Sequence, residues 1–168
     1  MNNQLVEGDI TFPSTVTNNG TTYNLTHVNP WFAGNSKITS ITVPSGYTTI
    51  RNKALRNFKN ALAIDIPEGI THIGETGLGY NAKIKCYNIP STVTYIDKGA
   101  FAGCTGLTHL YMKATIPPTL ANIDAFEGTT NNKIIVPQDS LAAYQSATNW
   151  ISFSSRMMGS KQVVIKDT

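Results

Sequence analysis

Residues 89–104 read IPSTVTYIDKGAFAGC, and this stretch decides the fold because it suits neither a long helix nor a long strand. A helix places an apolar residue at every third or fourth position over about ten residues, whereas a half-buried strand alternates strictly over about four to eight residues. The stretch changes from one pattern to the other within 16 residues. Such a change is expected of one turn of a coil, in which a short strand reaches a corner at Pro90 and the chain returns through a tighter turn.

The same pattern recurs along the chain with a constant step of 23 residues. On the strand side the repeated positions are Ile38, Ala61, Ile84 and Leu107; Ile41, Ile64, Tyr87 and Leu110; Val43, Ile66, Ile89 and Met112; and Pro44, Pro67 and Pro90. On the return side they are Tyr47, Ile70 and Val93; Ile50, Ile73 and Ile96; Leu55, Leu78 and Phe101; and Phe58, Asn81 and Cys104. A constant step of this length is the signature of a solenoid. We therefore expect the apolar columns to point inward from short strands that stack in one parallel ladder, about 4.8 Å apart.

The two ends of the chain depart from this step. Asn19-Gly20 favours a two-residue hairpin turn, so the first turn is predicted to be a cap enlarged by a hairpin. The rhythm loosens after Met112 and resumes as IIVP, which gives about five turns and a partial sixth. The final QVVIKD is predicted to add a short strand. The capping turn, the repeats and the closing cap are assigned to residues 7–37, 38–137 and 138–168 of a single domain.

Length and charge narrow the classes of function. The 168 residues suffice for one domain. The net charge of +3 is too weak to indicate binding of nucleic acid, which needs a clustered basic face. No apolar run approaches the roughly 18 residues that cross a bilayer. The first residues lack the features of a secretion signal, so we expect an intracellular protein or one from which the signal was removed.

The repeated pattern resembles the leucine-rich repeats of the BspA-like family of bacterial surface proteins, whose turns are similar to LxxIxIPxxVTxIGxxAFxxCxx. The likeness covers residues 38–112 turn by turn and is strongest over residues 84–106. The chain departs from the family at Asp97, where Gly is preferred, and at Asn81 and Phe58, where Cys is preferred; we expect these changes to affect packing rather than chemistry. The resemblance implies a leucine-rich-repeat solenoid at the bacterial cell surface or outside the cell.

The run VPQDSLAAYQSATNWISF resembles the closing segment of the same family. The resemblance implies a short helix, at residues 139–147, after the last strand. Asp139 or Ser140 can cap this helix. Trp150 and Phe153 are then expected to cover the open end of the core, because the last turn of a solenoid otherwise exposes an apolar edge.

Motifs of catalysis, metal binding and nucleotide binding are absent from the sequence. His27, His72 and His109 have no second ligand at a metal-binding spacing. GETGLG at residues 74–79 lacks the GxGxxG order and precedes no long helix, so its glycines are interpreted as turn residues with permissive backbone angles. There is no GxSxG nucleophile elbow. We therefore expect a protein that is not an enzyme and has no cofactor.

The two cysteines lie at different kinds of position. Cys104 occupies an inward column and is predicted to be a small buried apolar residue. Cys86 lies between inward residues of a strand and is predicted to be exposed on the ladder. No disulfide bond is expected between them, because they belong to different parts of adjacent turns.

The outward-facing side of the strands, which we call the ladder face, is the predicted binding surface. Its charged, polar and aromatic positions are Asp65, Lys85, Asn88, His109 and Tyr111. Aromatic residues beside hydrogen-bonding groups tend to anchor contacts. We expect a monomer that adheres to host matrix proteins, other cells or glycans through these residues.

Two alternatives stay open. The basic turn, which comprises Arg51, Lys53 and Arg56, is a second candidate for an acidic glycan or phosphate, although such charges usually form a solvated face. Alternatively, the chain is a structural spacer or a fragment of a larger surface protein without a ligand of its own.

Overall fold

The structure is a computed structural model that describes residues 5–129 and 132–160. Its strands in chain order are β1 (Gly8–Thr11), β2 (Thr15–Asn18), β3 (Thr21–Asn24), β4 (His27–Val28), β5 (Ile38–Thr42), β6 (Thr49–Ile50), β7 (Ala63–Asp65), β8 (His72–Ile73), β9 (Cys86–Ile89), β10 (Tyr95–Ile96), β11 (His109–Met112), β12 (Thr119–Leu120), β13 (Lys133–Pro137) and β14 (Met157–Ser160). One α-helix, α1 (Leu141–Ser146), lies in the described part, with short 3-10 segments at Pro30–Phe32, Ile123–Phe126, Gln138–Ser140 and Trp150–Arg156.

The predicted stacking of short parallel strands is confirmed. Strands β1, β5 and β7 pair in parallel, and so do β9, β11, β13 and β14; together we call them the first ladder. The 23-residue step sets the register, because Ile41 lies beside Ile64 and Leu110 lies beside Tyr87. Apolar columns therefore stack on one another inside the coil.

The structure has a second parallel ladder, whereas the sequence predicted one. Its two-residue strands are β4, β6, β8, β10 and β12, which run along the return side of the turns. Two extended residues are too few to show strand alternation in a sequence. The constant step nevertheless brings equivalent backbone groups together, as in the bond from the Thr94 amide to the Thr71 carbonyl at 2.9 Å.

The inward columns form one core that closes on aromatic side chains near the C-terminal end. Phe101 stacks on Phe126 with ring centroids 5.3 Å apart, and Trp150 lies against Phe126 at 5.9 Å. Trp150 is fully buried and its indole N–H donates to the Pro118 carbonyl at 2.7 Å. The predicted covering of the core by Trp150 and Phe153 is confirmed, and each buried aromatic contributes about 2 to 3 kcal/mol through its apolar area.

Both caps contain the predicted elements, with one correction. The hairpin is confirmed: β2 and β3 pair antiparallel across Asn19 and Gly20, which have φ of 48° and 78°. The α-helix is present, but the predicted cap is wrong, because the Ser140 side chain makes no capping bond and Asp139 lies inside a preceding 3-10 segment. That segment leads directly into the helix, so no side-chain cap is formed. The predicted strand at residues 162–167 lies outside the described residues.

The glycines of residues 74–79 have a different role from the predicted one. The positive φ angles fall on Thr76 and Tyr80, at 50° and 60°, and not on Gly74, Gly77 or Gly79. A Cβ on Gly74 would lie 2.7 Å from the backbone nitrogen of Asn52 in the previous turn. Gly74 therefore permits the close approach of neighbouring turns rather than an unusual backbone angle.

Candidate functional site

The first ladder is split between β7 and β9. On the N-terminal side of the split the Leu62 amide donates to the Thr39 carbonyl at 2.8 Å, and on the C-terminal side the Thr108 amide donates to the Lys85 carbonyl at 2.9 Å. Within the described residues no strand pair joins β7 to β9, and the equivalent bond from Lys85 to Leu62 is not formed. The ladder face is therefore made of two sheets with an opening between them.

Side-chain bonds connect the two sheets at both ends of the split. Before the strands, the Lys83 ammonium donates to Asn60 Oδ1 at 2.7 Å. After them, Glu68 Oε2 accepts from the Ser91 amide at 3.0 Å and the Ser91 hydroxyl at 2.9 Å, and Lys113 approaches Glu68 Oε1 at 3.5 Å. Desolvation by burial raises the pKa of Glu68, but the Ser91 bonds and the Lys113 charge outweigh it and hold the pKa below its usual value.

A groove of about 640 Å³, which we call the split groove, follows this opening. It is lined by Leu62, Ala63, Ile64, Asp65, Ile66, Lys85, Cys86, Asn88 and Lys113. Three of the predicted site residues, Asp65, Lys85 and Asn88, are thus brought together, and all three are exposed. Within the described part of the chain, neither Asp65 nor Lys85 forms an ion pair, so both charges face solvent.

A larger groove of about 870 Å³, the C-terminal groove, lies beside it. Asn88 and Lys113 line both grooves, and Tyr111, Gln138 and Asp139 line the C-terminal one. Tyr111 is the ladder neighbour of Asn88, which explains why the two side chains share a wall. The ladder face therefore presents two adjoining grooves.

His109 lines neither groove but stacks on Tyr111, with ring centroids 6.0 Å apart and an interplanar angle of 17°. Its Nδ1 lies 3.0 Å from the Thr108 hydroxyl. Both rings remain exposed. They form a flat aromatic surface at the edge of the C-terminal groove.

The basic turn is not assembled into one site. Arg51 follows β6 on the second ladder and lines a groove of about 400 Å³ with Asn52 and His72. The Arg56 guanidinium lies over the Tyr80 ring, 5.4 Å from its centroid, and Lys53 is exposed. These three cations lie apart from the ladder face, so they stay a separate candidate.

The cysteines behave largely as predicted. Both are free, Cys104 is fully buried, and Cys86 is half-buried rather than fully exposed because it lines the split groove. Burial raises the pKa of both thiols, that of Cys104 to about 11. Cys86 is therefore the accessible thiol of the described chain.

Lys113 is a groove residue that the sequence analysis missed. It occupies the position, 23 residues after Pro90, where the three preceding turns have proline. Its amide donates to the Ile89 carbonyl at 3.0 Å, a bond that proline cannot make. The loss of proline from this column was the available signal, and it was interpreted only as a loosening of the repeat.

Two further observations concern residues 5–129 and 132–160. No three His, Cys, Asp or Glu side chains in these ranges gather where they could hold a metal ion. No helix in them combines the length and apolar character needed to cross a membrane.

The comparisons with known proteins identify the type of repeat. The sequence pattern of the BspA type leucine-rich repeat region matches residues 28–150 in six copies. No curated protein matches the chain. Among solved structures, the fold is similar to that of the pneumococcal vaccine antigen PcpA, with a TM-score of 0.59 and 18% identity over 83% of this chain and 42% of that protein. It is also similar to that of a leucine-rich repeat protein from Bacteroides ovatus, with a TM-score of 0.57 and 18% identity over 92% of this chain and 42% of that protein.

At such low identity the two structures show the fold alone, and the chain spans 42% of the length of each. The predicted leucine-rich-repeat solenoid and the suspected BspA-like family are both confirmed. The six matched copies agree with the five turns and partial sixth read from the sequence.

Proposed function

The chain belongs to the BspA type leucine-rich repeat family, and from this premise we propose that it is a non-catalytic recognition module of a bacterial cell-surface or secreted protein. The module binds a protein or glycan, such as a host matrix protein or a component of another cell, through its ladder face. It acts as a monomer, without a cofactor, and does not insert into a membrane or bind nucleic acid.

The observation that carries this proposal is the joining of two grooves on one face. Asn88 and Lys113 line both grooves, Asp65 and Lys85 present unpaired charges in one, and Tyr111 presents an aromatic ring in the other. Exposed aromatic side chains beside charged and amide groups are typical of residues that anchor a partner. Grooves of several hundred Å³ also lie within the usual size range of binding sites.

A double substitution tests the ladder face. Replacing Tyr111 and Asn88 by Ala should weaken attachment to a panel of matrix proteins and glycans by at least about tenfold, because an aromatic anchor and the amide shared by both grooves are removed. The melting temperature should change little, since both side chains point outward. Tyr95→Ala is the matched control, because Tyr95 is 39% exposed and Tyr111 is 38% exposed, yet Tyr95 lies on the second ladder.

Two other results would move or remove the site. Attachment that survives the double substitution but is lost when Arg51, Lys53 and Arg56 are all replaced by Ala would assign binding to the basic turn. No attachment to any panel member would favour the spacer function, in which the chain holds other parts of a surface protein apart.

A further inference from the structure

We propose that the split groove binds an extended polypeptide segment, which pairs with the backbone groups that β7 and β9 leave unpaired. This inference rests on the proposed function and names the ligand class of one part of the ladder face. It concerns the opening between the two sheets and not the aromatic surface of Tyr111 and His109.

The backbone of the split provides the first argument. Everywhere else along the first ladder each strand pairs with its neighbours, whereas the facing edges of β7 and β9 do not pair within the described residues. At the start of the strands the bond from Lys85 to Leu62 is missing. At their end the Val43 amide donates to the Asp65 carbonyl at 3.1 Å, but the equivalent bond from Ile66 to Asn88 is missing. An unpaired strand edge offers N–H and C=O groups that an extended peptide can match.

The dimensions of the split limit the ligand. The facing edges comprise residues 62–66 and 85–89, which at about 3.3 Å per residue correspond to roughly 16 Å, or five residues of an extended peptide. The Lys83–Asn60 bond closes one end, and the Glu68–Ser91 bonds close the other. A short segment therefore fits the opening, whereas a long strand would have to break these side-chain bonds.

The charges of the groove predict the sequence of that segment. Asp65 lies on the β7 wall and Lys85 on the β9 wall, and neither charge is paired within the described residues. A bound peptide therefore gains most if it carries a basic side chain towards Asp65 and an acidic side chain towards Lys85. Leu62, which is 65% exposed, adds an apolar contact at the entrance. A glycan is less suited here, because the aromatic ring of Tyr111 lines the other groove.

Cys86 provides a reversible way to block the groove. It is the accessible thiol of the described chain, since Cys104 is fully buried. Ellman's reagent converts the Cys86 thiol to a mixed disulfide that places a nitrobenzoate group in the groove, and dithiothreitol removes it again. No substitution is needed, so the same protein serves as its own control.

The experiment selects linear heptapeptides from a phage-displayed library on the unmodified protein. The selected peptides should contain a basic and an acidic residue, should bind at least about tenfold more weakly after the thiol is blocked, and should recover on adding dithiothreitol. Bound peptide should slow hydrogen exchange at the amides of Lys85 and Cys86. Lys85→Ala should weaken binding of these peptides about fivefold, whereas Lys59→Ala, at an exposed lysine outside both grooves, should not.

Several results would overturn the inference. They are a failure to select any peptide, binding that is equal before and after the thiol is blocked, and binding that leaves the Lys85 and Cys86 amides unprotected. If the blocked protein still attaches to the matrix and glycan panel, and the Tyr111 and Asn88 substitutions abolish that attachment, the proposed function holds and the peptide site fails. If the panel gives no attachment but selected peptides still require the free thiol, the peptide site holds and the broader function fails.

Discussion

The two ladders of this solenoid follow the same turns with the same step, yet only one of them is continuous. The second ladder runs without interruption through β6, β8 and β10, although its strands have two residues each. The first ladder has longer strands and is split between β7 and β9. Strand length therefore does not decide which ladder stays closed; the side chains beneath each ladder must be compared.

Beneath the split lies a buried polar network. Asn81 is fully buried, accepts from the Phe58 amide at 2.9 Å and donates to the Leu55 and Leu78 carbonyls, each at 2.8 Å. The Tyr87 hydroxyl lies 3.0 Å from Asn81 Nδ2 and also donates to Leu78 at 3.0 Å. Side-chain bonds thus connect the turns under the split, where backbone bonds between β7 and β9 are absent.

The largest expected effect comes from removing this network. Asn81→Ala should lower the free energy of unfolding by about 3 kcal/mol, because the Phe58 amide and the Leu55 carbonyl lose a partner in the core. Urea unfolding measures the loss. Hydrogen exchange should become faster at the amides of β7 and β9 and should change less at those of β6 and β8.

Asn60→Ala is the matched control for this substitution. Asn60 also connects turns, through Ser36 and Lys83, but it is exposed, so its loss should cost less than about 1 kcal/mol. Equal losses for the two variants would show that the buried network does not hold the turns under the split.

The second expected effect concerns the split itself. Tyr87 is the one aromatic residue of its column, and its hydroxyl reaches back to the turn that contains β7. Tyr87→Leu gives this position the residue found at the same column in the next turn, Leu110. If the ring holds the strands apart, this variant should close the split and slow exchange of the Lys85 amide by at least about tenfold, as expected of a newly paired strand.

Tyr87→Phe separates the size of the ring from its hydroxyl. It keeps the ring and should leave the Lys85 amide as fast as in the parent protein, with a stability loss of about 1 kcal/mol for the missing hydrogen bond. Hydrogen exchange followed by NMR measures both variants. Slow exchange in the Phe variant, or unchanged exchange in the Leu variant, would mean that the ring does not set the separation.

The sequence predicted what depends on the constant step. Inward columns, the hairpin at Asn19-Gly20 and the aromatic cover at Trp150 follow from periodicity, turn chemistry and the need to bury an apolar end, and the structure has them all. The five ladder-face residues were placed outward by strand alternation, and the structure keeps the five exposed. Whether they bind a partner stays a prediction.

The sequence could not predict features that depend on contacts between turns. Tyr87 fits its apolar column, so nothing in the pattern shows that its hydroxyl bonds Asn81 and Leu78 in the previous turn. Asn81 was interpreted as a change in packing, although it makes four hydrogen bonds in the core. Polar side chains in a solenoid select partners one turn away, and that choice depends on side-chain geometry rather than on spacing.

The smallest expected effect compares two exposed connections between turns, one beside each ladder. Glu68 spans the end of the split and bonds both Ser91 and Lys113, whereas Glu75, near the second ladder, pairs with Lys98 at 3.7 Å. Glu68→Gln should cost more stability than Glu75→Gln, because it weakens two charge-assisted bonds to Ser91 as well as an ion pair. Both losses should stay below about 1 kcal/mol, since both pairs are exposed to solvent.

The dependence on pH identifies the Glu68 contribution. Its pKa lies below the ordinary value of 4.5 in the folded protein, so the carboxylate stabilises the fold above that value and loses this effect as the pH falls through the lowered pKa. The difference in unfolding free energy between the parent protein and Glu68→Gln should therefore be constant near neutral pH and should shrink in acid below 4.5. Urea unfolding at several pH values measures it. A difference that persists unchanged in strong acid would show that Glu68 acts through packing, and the split would then be closed at this end by contacts other than its carboxylate.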